Sequence, residues 1–353
     1  MTDSKNLQFV GWDIGGANLK VAKVGADGSV LSANQYATPL WLGLESLAGR
    51  LEMLARDTGS PGILHALTMT GEMVDEFADR STGVLSLLRL FARFFSSDRI
   101  MVYTIDRGLV SVEEACAMPA AVASANWQAT AAMVARQVDN GILVDIGTTT
   151  TDIVPFRSGR PCAQGVNDQQ RLRCGELVYS GVVRTPVMAI VQRAPFAGHW
   201  QSIAAEYFAS MADVYRVTGQ LDERSDLHDS ADHRGKSFQE SVCRLARMLG
   251  TEPVSETEME QWILFANYVA EQQLQLIDES FLSVRSRFNA TSQSVIVGAG
   301  CGAFIAAMIA ERHGHEYIPL HRLLVQHDVP ATAICTCAPA IAVAQLARSR
   351  ITQ

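Results

Sequence analysis

The chain has 353 residues, 48% of them hydrophobic and 19% charged, enough apolar material for two folded domains and too little charge for a disordered chain. Its net charge of −8 excludes nucleic acid as the main partner, because a phosphate backbone requires clustered Lys and Arg. Seven scattered cysteines, no signal-peptide pattern and no apolar run near the ~18 to 20 residues that span a bilayer predict a cytoplasmic protein with reduced thiols and no membrane partner. Cys335-Thr-Cys337, the one close cysteine pair, lacks the spacing of a zinc or redox motif and reads as core packing.

The first strand begins at Leu7, leaving no room ahead of it for a targeting segment or a DNA-binding domain. Strands Leu7–Ile14 and Leu19–Val24 flank the turn Gly15-Gly-Ala-Asn18, and Ala26-Asp-Gly-Ser29 reads as a hairpin loop into a third strand. Leu44, Leu47, Leu51 and Leu54 have the spacing of an amphipathic helix over Leu44–Ala55. A strand at Ile63–Met69 ends in Thr68-Met-Thr-Gly-Glu72, which gathers polar groups where ligands of open α/β sheets gather. Ser86–Phe95 reads as a helix with Arg89 and Arg93 on a basic edge, and Ile100–Ile105 as a strand. The alanine-rich segment from Pro119 to Arg136 reads as one buried helix, with Asn126 as its ligand-facing candidate.

Gly141 to Pro155 then repeats the opening pattern: an apolar strand, Asp145-Ile-Gly147 and the hydroxyls of Thr148 to Thr151. Amides in a tight glycine turn form an anion-binding nest, and a carboxylate at a strand end can hold Mg2+. Two such strand-turn-strand hairpins, carrying Asp13 and Asp145, suit two similar domains that grip a polyphosphate from opposite sides. The phosphate-binding candidates are therefore Gly15, Gly16, Asn18, Gly147, Thr148 and Thr149, with Lys20 beside them and Asp13, Asp145 and Asp152 as magnesium ligands.

Phe156–Gly165 reads as a short hairpin turning at Arg157-Ser-Gly159. The polar stretch Arg171–Pro186 supplies Arg173, Glu176, Tyr179, Arg184 and Thr185 as substrate-binding candidates, a surface loop being the other reading. Asp222–Ser237 is either a solvated loop or a lid carrying Arg234 and Lys236 over phosphates, and its acids and histidines match no zinc or calcium spacing. Helices over Phe238–Leu249 and Glu258–Phe281 belong to an insertion, after which Ser294–Ala303 forms a strand and a third glycine turn opening a helix over Phe304–Glu311. Gly298, Gly300 and Gly302 are candidates for a further anion at that helix N-terminus. The same turn, with Ala303 and the later Glu316, matches a dinucleotide fingerprint, but too little chain follows for the strands such a fold needs.

The order Asp13-Ile-Gly-Gly16, Asp145-Ile-Gly-Thr-Thr149 and strand-Gly298-x-Gly300 resembles the actin, sugar kinase and Hsp70 (ASKHA) superfamily, and within it the hydantoinase/oxoprolinase group. More narrowly, Asp13-Ile-Gly-Gly-Ala-Asn-Leu-Lys20, Thr70-Gly-Glu-Met-Val-Asp75 and Tyr179-Ser-Gly-Val-Val-Arg-Thr-Pro186 resemble a methylofuran-biosynthesis family. Its relatives in methylotrophic bacteria are tetrahydromethanopterin-linked C1-transfer pathway proteins. The resemblance implies two ribonuclease-H-like α/β domains facing a cleft, at 1–137 and 138–353, with a mainly helical insertion at about 166–290. It also implies transfer of an aminomethylfuran-methyl group from its diphosphate to the phenol of a glutamyl-tyramine, giving an aryl ether.

For such a reaction a carboxylate must take the phenolic proton, and the polar strand end offers Glu72 and Asp75; a salt-bridged or capping pair is the other reading. Asp13, Lys20 and Asp145 complete the catalytic set. The expected cofactor is Mg2+, and the partners are the diphosphate, the tyramine-type phenol and a second copy of the chain in a homodimer. Two other classes fit the superfamily: an ATP-dependent kinase or amide-activating hydrolase, and a non-catalytic nucleotide-binding protein. Ala17-Asn18 departs from the commoner Asp-Ile-Gly-Gly-Thr and speaks against ordinary ATP chemistry at the first turn.

Overall fold

The computed structural model describes residues 7–60, 62–252, 259–288 and 294–352. Two large sheets, a two-stranded hairpin and the helices around them make an α/β protein, as the alternation of strands and amphipathic segments predicts. The strands are β1 (Gln8–Ile14), β2 (Asn18–Gly25), β3 (Val30–Ala37), β4 (Ile63–Met69), β5 (Ile100–Thr104), β6 (Gly108–Ser111) and β7 (Asn140–Ile146). They continue as β8 (Thr151–Arg157), β9 (Arg160–Pro161), β10 (Leu177–Val178), β11 (Arg193–Phe196), β12 (His199–Ser202), β13 (Val295–Ala299) and β14 (Tyr317–Pro319). The chain folds as two compact units, each assembled from separate stretches of sequence. The first comprises Met1–Leu143, Val154–Asp168 and Ile318–Gln353, the second Val144–Ile153 and Gln169–Tyr317.

The first sheet runs β3-β2-β1-β4-β5-β6. Central β1 pairs antiparallel with β2 and parallel with β4, and only its first residue escapes full burial, which is why its sequence is almost continuously apolar. Val10, Trp12 and Ile14 project into a core built with Leu47 and Leu51 of helix Glu45–Thr58 and Leu87 and Phe91 of helix Arg80–Phe91. There the Trp12 Nε1–H donates to His65 Nδ1 at 3.1 Å, and the two rings lie tilted to one another among Phe91 and Phe95. Burial lowers the His65 pKa to about 4, so this imidazole stays neutral and accepts the indole proton. The opposite face of β1 carries Gly11, where a Cβ would stand 1.8 Å from the carbonyl oxygen of Ala340. Glycine is required because the backbone of helix Ala338–Thr352 lies directly on the strand.

The second sheet runs β10-β8-β7-β13-β14, with β9 beside β8. The Arg157-Ser-Gly159 turn forms as its residue types predict, with Ser158 at φ 51° and Gly159 at φ 77°. Within the second unit, helix Met259–Phe288 packs against helix Met211–Val217. The beginning of the predicted helix, Glu258, lies outside the described residues.

Three segments differ from the sequence reading. The helix expected from Ser86 begins at Arg80, because Asp79 caps it by accepting from Thr82 N–H at 2.8 Å. The segment from Pro119 to Arg136 is two helices, Pro119–Val122 and Asn126–Ala135, separated at Ser124 with φ 51°. Asp168–Cys174, within a region read as loop, is helical and ends before Gly175 at φ 74°.

Candidate functional site

In the first unit, β1 and β2 place Asp13 opposite Lys20, with Lys20 Nζ 3.4 Å from Asp13 Oδ2. Gly15 N–H donates to Asn18 O at 2.9 Å and closes the turn, while Thr70 N–H, just beyond β4, donates to Ile14 O at 2.9 Å. The turn is made without a left-handed glycine. Gly15 is needed for close approach: a Cβ there would lie 2.9 Å from Asn18 O.

The second unit builds the same device. Gly147 N–H donates to Thr150 O at 2.9 Å, and Gly302 N–H, just beyond β13, donates to Ile146 O at 2.8 Å. The Gly15 and Gly147 amides, expected to face a phosphate, are thus turned inward to close their hairpins. The amides of Gly16, Thr148 and Thr149 donate to no backbone carbonyl among the described residues, and Thr148 and Thr149 are half-buried residues whose hydroxyls lie 3.4 Å apart. Those groups can receive an anion. A Cβ on Gly181 would lie 2.5 Å from Thr148 C and Thr149 N, so Gly181 seats the neighbouring loop on the turn. Gln273, buried in the long helix, fixes that loop by donating to Ser180 Oγ at 2.7 Å and Gly181 O at 2.9 Å, while accepting from Tyr215 Oη at 2.6 Å.

The hairpins differ in charge. Where the first has Lys20, the same number of residues past the closing glycine, the second has Asp152, held by the buried guanidinium of Arg171 at 2.7 Å. Arg171 also donates to Glu176 O at 2.8 Å. Among the described residues no group of three or more His, Cys, Asp and Glu converges as a metal site. Mg2+ is bound through one or two carboxylates, with waters and substrate phosphates completing its shell. Asp145 fits that need; Asp13 and Asp152, each with a cation against its carboxylate, fit it less well.

At the third glycine turn the glycines serve packing. Gly298 lies under the Tyr317 ring, Gly300 (φ 79°) would place a Cβ 2.6 Å from Asp145 Oδ1, and Gly302 lies against Ile146 and Val182. A side chain at Gly300 would displace the Asp145 carboxylate.

Back in the first unit, Glu72 follows β4 in the short turn Gly71–Met73 and is fully buried. Its Oε1 accepts from Ser124 Oγ at 2.8 Å, and Oε2 has no hydrogen-bond partner. Burial raises its pKa, opposed by hydrogen bonds from its own backbone and from Ser124 and by the Arg80 charge; Asp168, paired with Arg80 at 2.6 Å, adds to the rise. The break at Ser124 turns this hydroxyl to Glu72, so the interruption of the alanine-rich segment serves the carboxyl. Asp75 is exposed. The structure does not bring the two carboxylates into one environment.

The remaining candidates are dispersed over the second unit. Arg173 and Arg184 are exposed, as is Tyr179, whereas Glu176 is buried 4.0 Å from Arg287. Lys236 is bound to Asp226 at 3.2 Å, and Arg234 is exposed. The polar segment of 222–237 is tied down: Asp226 pairs with Arg216, and Asp232 with Arg244 and Arg247. Asn126 Oδ1 accepts from Trp127 N–H at 2.7 Å. Sequence reasoning missed Ser124, Arg171 and Gln273. For Arg171 a signal existed, since Gly175 marks a helix stop that places Asp168–Cys174 on a helix.

Against known proteins, residues 65–350 match the hydantoinase/oxoprolinase family model. The chain is 32% identical over 297 residues to a (4-{4-[2-(gamma-L-glutamylamino)ethyl]phenoxymethyl}furan-2-yl)methanamine synthase of Methanocaldococcus jannaschii, covering 83% of this chain and 86% of that one. It is 33% identical over 120 residues to a protein of the same description from Methanococcus vannielii, covering 34% of this chain and 54% of the relative. Among solved structures, nucleotide-free acetone carboxylase shares the fold, with a TM-score of 0.55 at 12% identity over 95% of this chain and 70% of that one. No helix among the described residues is long and apolar enough to cross a membrane.

Proposed function

This chain belongs to the hydantoinase/oxoprolinase family, and from that membership we propose that it is a transferase of methylofuran biosynthesis. It joins an aminomethylfuran-methyl diphosphate to the phenol of glutamyl-tyramine and releases diphosphate. The observation that carries this reading is the likeness to the methanamine synthase across most of both chains. The phenolic oxygen forms a bond to the methylene carbon, the carbon-oxygen bond to diphosphate breaks with its electron pair leaving on diphosphate, and the phenolic proton passes to a carboxylate. The furan ring spreads positive charge from that carbon, so the protein's main task is to hold the departing diphosphate.

For this the second unit offers the Thr148 and Thr149 amides and hydroxyls; the first unit, taken by itself, has the Gly16 amide and Lys20. Asp145, with waters and the diphosphate itself, would hold Mg2+, which supplies positive charge to the diphosphate oxygens when bound. Glu72 is the better base of the two carboxylates: a phenol with a pKa of about 10 is best met by a carboxyl whose own pKa is raised, and burial raises Glu72. Cytoplasmic location and a homodimer complete the proposal. The test is mass spectrometry of products from the purified protein with furfuryl diphosphate and glutamyl-tyramine, without ATP. Ether and diphosphate in equal amounts are expected; ADP formed in step with product would place the chain among the ATP-dependent enzymes.

A further inference from the structure

Away from these groups, within the first unit, lies a cavity of about 560 Å³ lined by Arg107, Arg136, Arg350, Glu114, Tyr103 and Leu346. Arg136 and Leu346 also line a smaller cavity of about 230 Å³, to which Arg348 contributes. Three guanidinium groups at one cavity are unexpected in a chain of net charge −8. The three are exposed, and like charges brought together repel, a cost that folding must offset elsewhere.

Helix ends explain part of the cluster. Arg136 follows helix Asn126–Ala135, and Arg350 stands in the last turn of helix Ala338–Thr352, where a cation offsets the terminal carbonyls. Arg350 is also anchored by donating to Leu109 O. Arg107, on the turn between β5 and β6, is at no helix end and has only the longer-range attraction of Glu114. The one acid at the cavity, Glu114, is engaged by Ser111, accepting from its amide at 3.0 Å and its hydroxyl at 3.1 Å in a capping box. Tyr103 is directed to Gln128, its hydroxyl 3.3 Å from Oε1. The Arg107 and Arg136 side chains have no ion pair or hydrogen bond among the described residues.

We propose that this cavity binds a small organic molecule carrying two or more oxyanion groups, carboxylate or phosphate. The planar fork of arginine pairs bidentately with either group, and the volume suits a metabolite better than a single inorganic ion. The site is separate from the residues assigned to ether synthesis.

Citrate and inorganic diphosphate, titrated calorimetrically into the whole protein, test it. Citrate should bind at one site per chain, and Arg107→Ala with Arg136→Ala should weaken it by about tenfold or more, the loss of a charge-assisted pair. The double variant should keep its ether-forming rate and its melting temperature. Glu114→Gln should tighten binding by removing the one negative charge. If diphosphate displaces citrate the site accepts phosphates, and if it does not the site selects carboxylates; either supports the proposal. Citrate affinity equal in wild type and the double variant, or no binding of either anion to the wild type at millimolar concentration, would overturn it.

Discussion

Across the first hairpin Asp13 faces a lysine; across the second, the position that corresponds to the lysine is Asp152, clamped by a buried arginine. The backbones are alike, down to a glycine amide closing each turn at 2.9 Å and an amide from beyond the next strand meeting Ile14 and Ile146. Beyond those next strands they part again: β4 leads to the buried Glu72, β13 to the packing glycines Gly300 and Gly302. One scaffold thus carries a cation and a protonatable carboxyl in one unit, and an acidic, glycine-flanked turn in the other. Division of labour follows from side chains at equivalent positions, with no change of fold.

The sharpest way to break this comparison is to neutralise each aspartate. Asp145→Asn should abolish turnover and raise the magnesium concentration needed for any residual rate. Asp13→Asn should also lose turnover while its magnesium dependence stays that of the wild type; equal shifts in both variants would make the hairpins equivalent. Steady-state rates across a magnesium titration, with circular dichroism to establish folding, decide it.

Next in size is Glu72. Glu72→Gln should slow ether formation by ~10² to 10⁴ while diphosphate binding holds. In the wild type the rate should rise with pH along a limb centred above 4.5, the ordinary value for a glutamate, and this limb should vanish in the variant. Stability runs the other way. A carboxyl whose folded pKa is raised adds stability that is complete below the unfolded value and lost as pH rises through the folded one, so Glu72→Gln should gain on wild type as pH increases. A destabilised, fully active variant would remove Glu72 from the reaction.

The smallest expected effects are on folding. Arg171→Ala strands Asp152 and the Glu176 carbonyl, and should cost about 3 kcal/mol by denaturant titration. Lys20→Met, at a longer pair whose lysine reaches solvent although Asp13 is buried, should cost less, about 1 to 2 kcal/mol. Equal losses would mean that both hairpins carry their charges in the same way.

The hairpins were legible in the sequence because strand, glycine and polar turn are local signals that need no partner from elsewhere. So was the Arg157-Ser-Gly159 turn, where residue type alone specifies the backbone. What the sequence hid depends on distant partners. Arg171 and Arg173 differ by two positions in one helix, yet only the first is buried against Asp152, and nothing local marks which faces inward. The segment of 222–237 reads as solvated because its anchors, Arg216, Arg244 and Arg247, come from two other helices. Ser124 interrupts an alanine-rich run that by propensity should continue, and its reward, the bond to Glu72, lies across the fold. Helix Ala338–Thr352 is apolar almost all round, so its periodicity identifies no single buried face and no sheet to cover.

That helix settles on Gly11, in a strand that leaves the ribosome long before it. The part of the sheet that this helix covers therefore waits, through synthesis of the entire second unit, before its cover arrives. Pairings so remote in sequence are slow to form and leave apolar surface open meanwhile. Assembly of the first unit is in this sense a closing event, and a nascent chain stalled before Ala338 would expose β1 to chaperones or to other stalled copies.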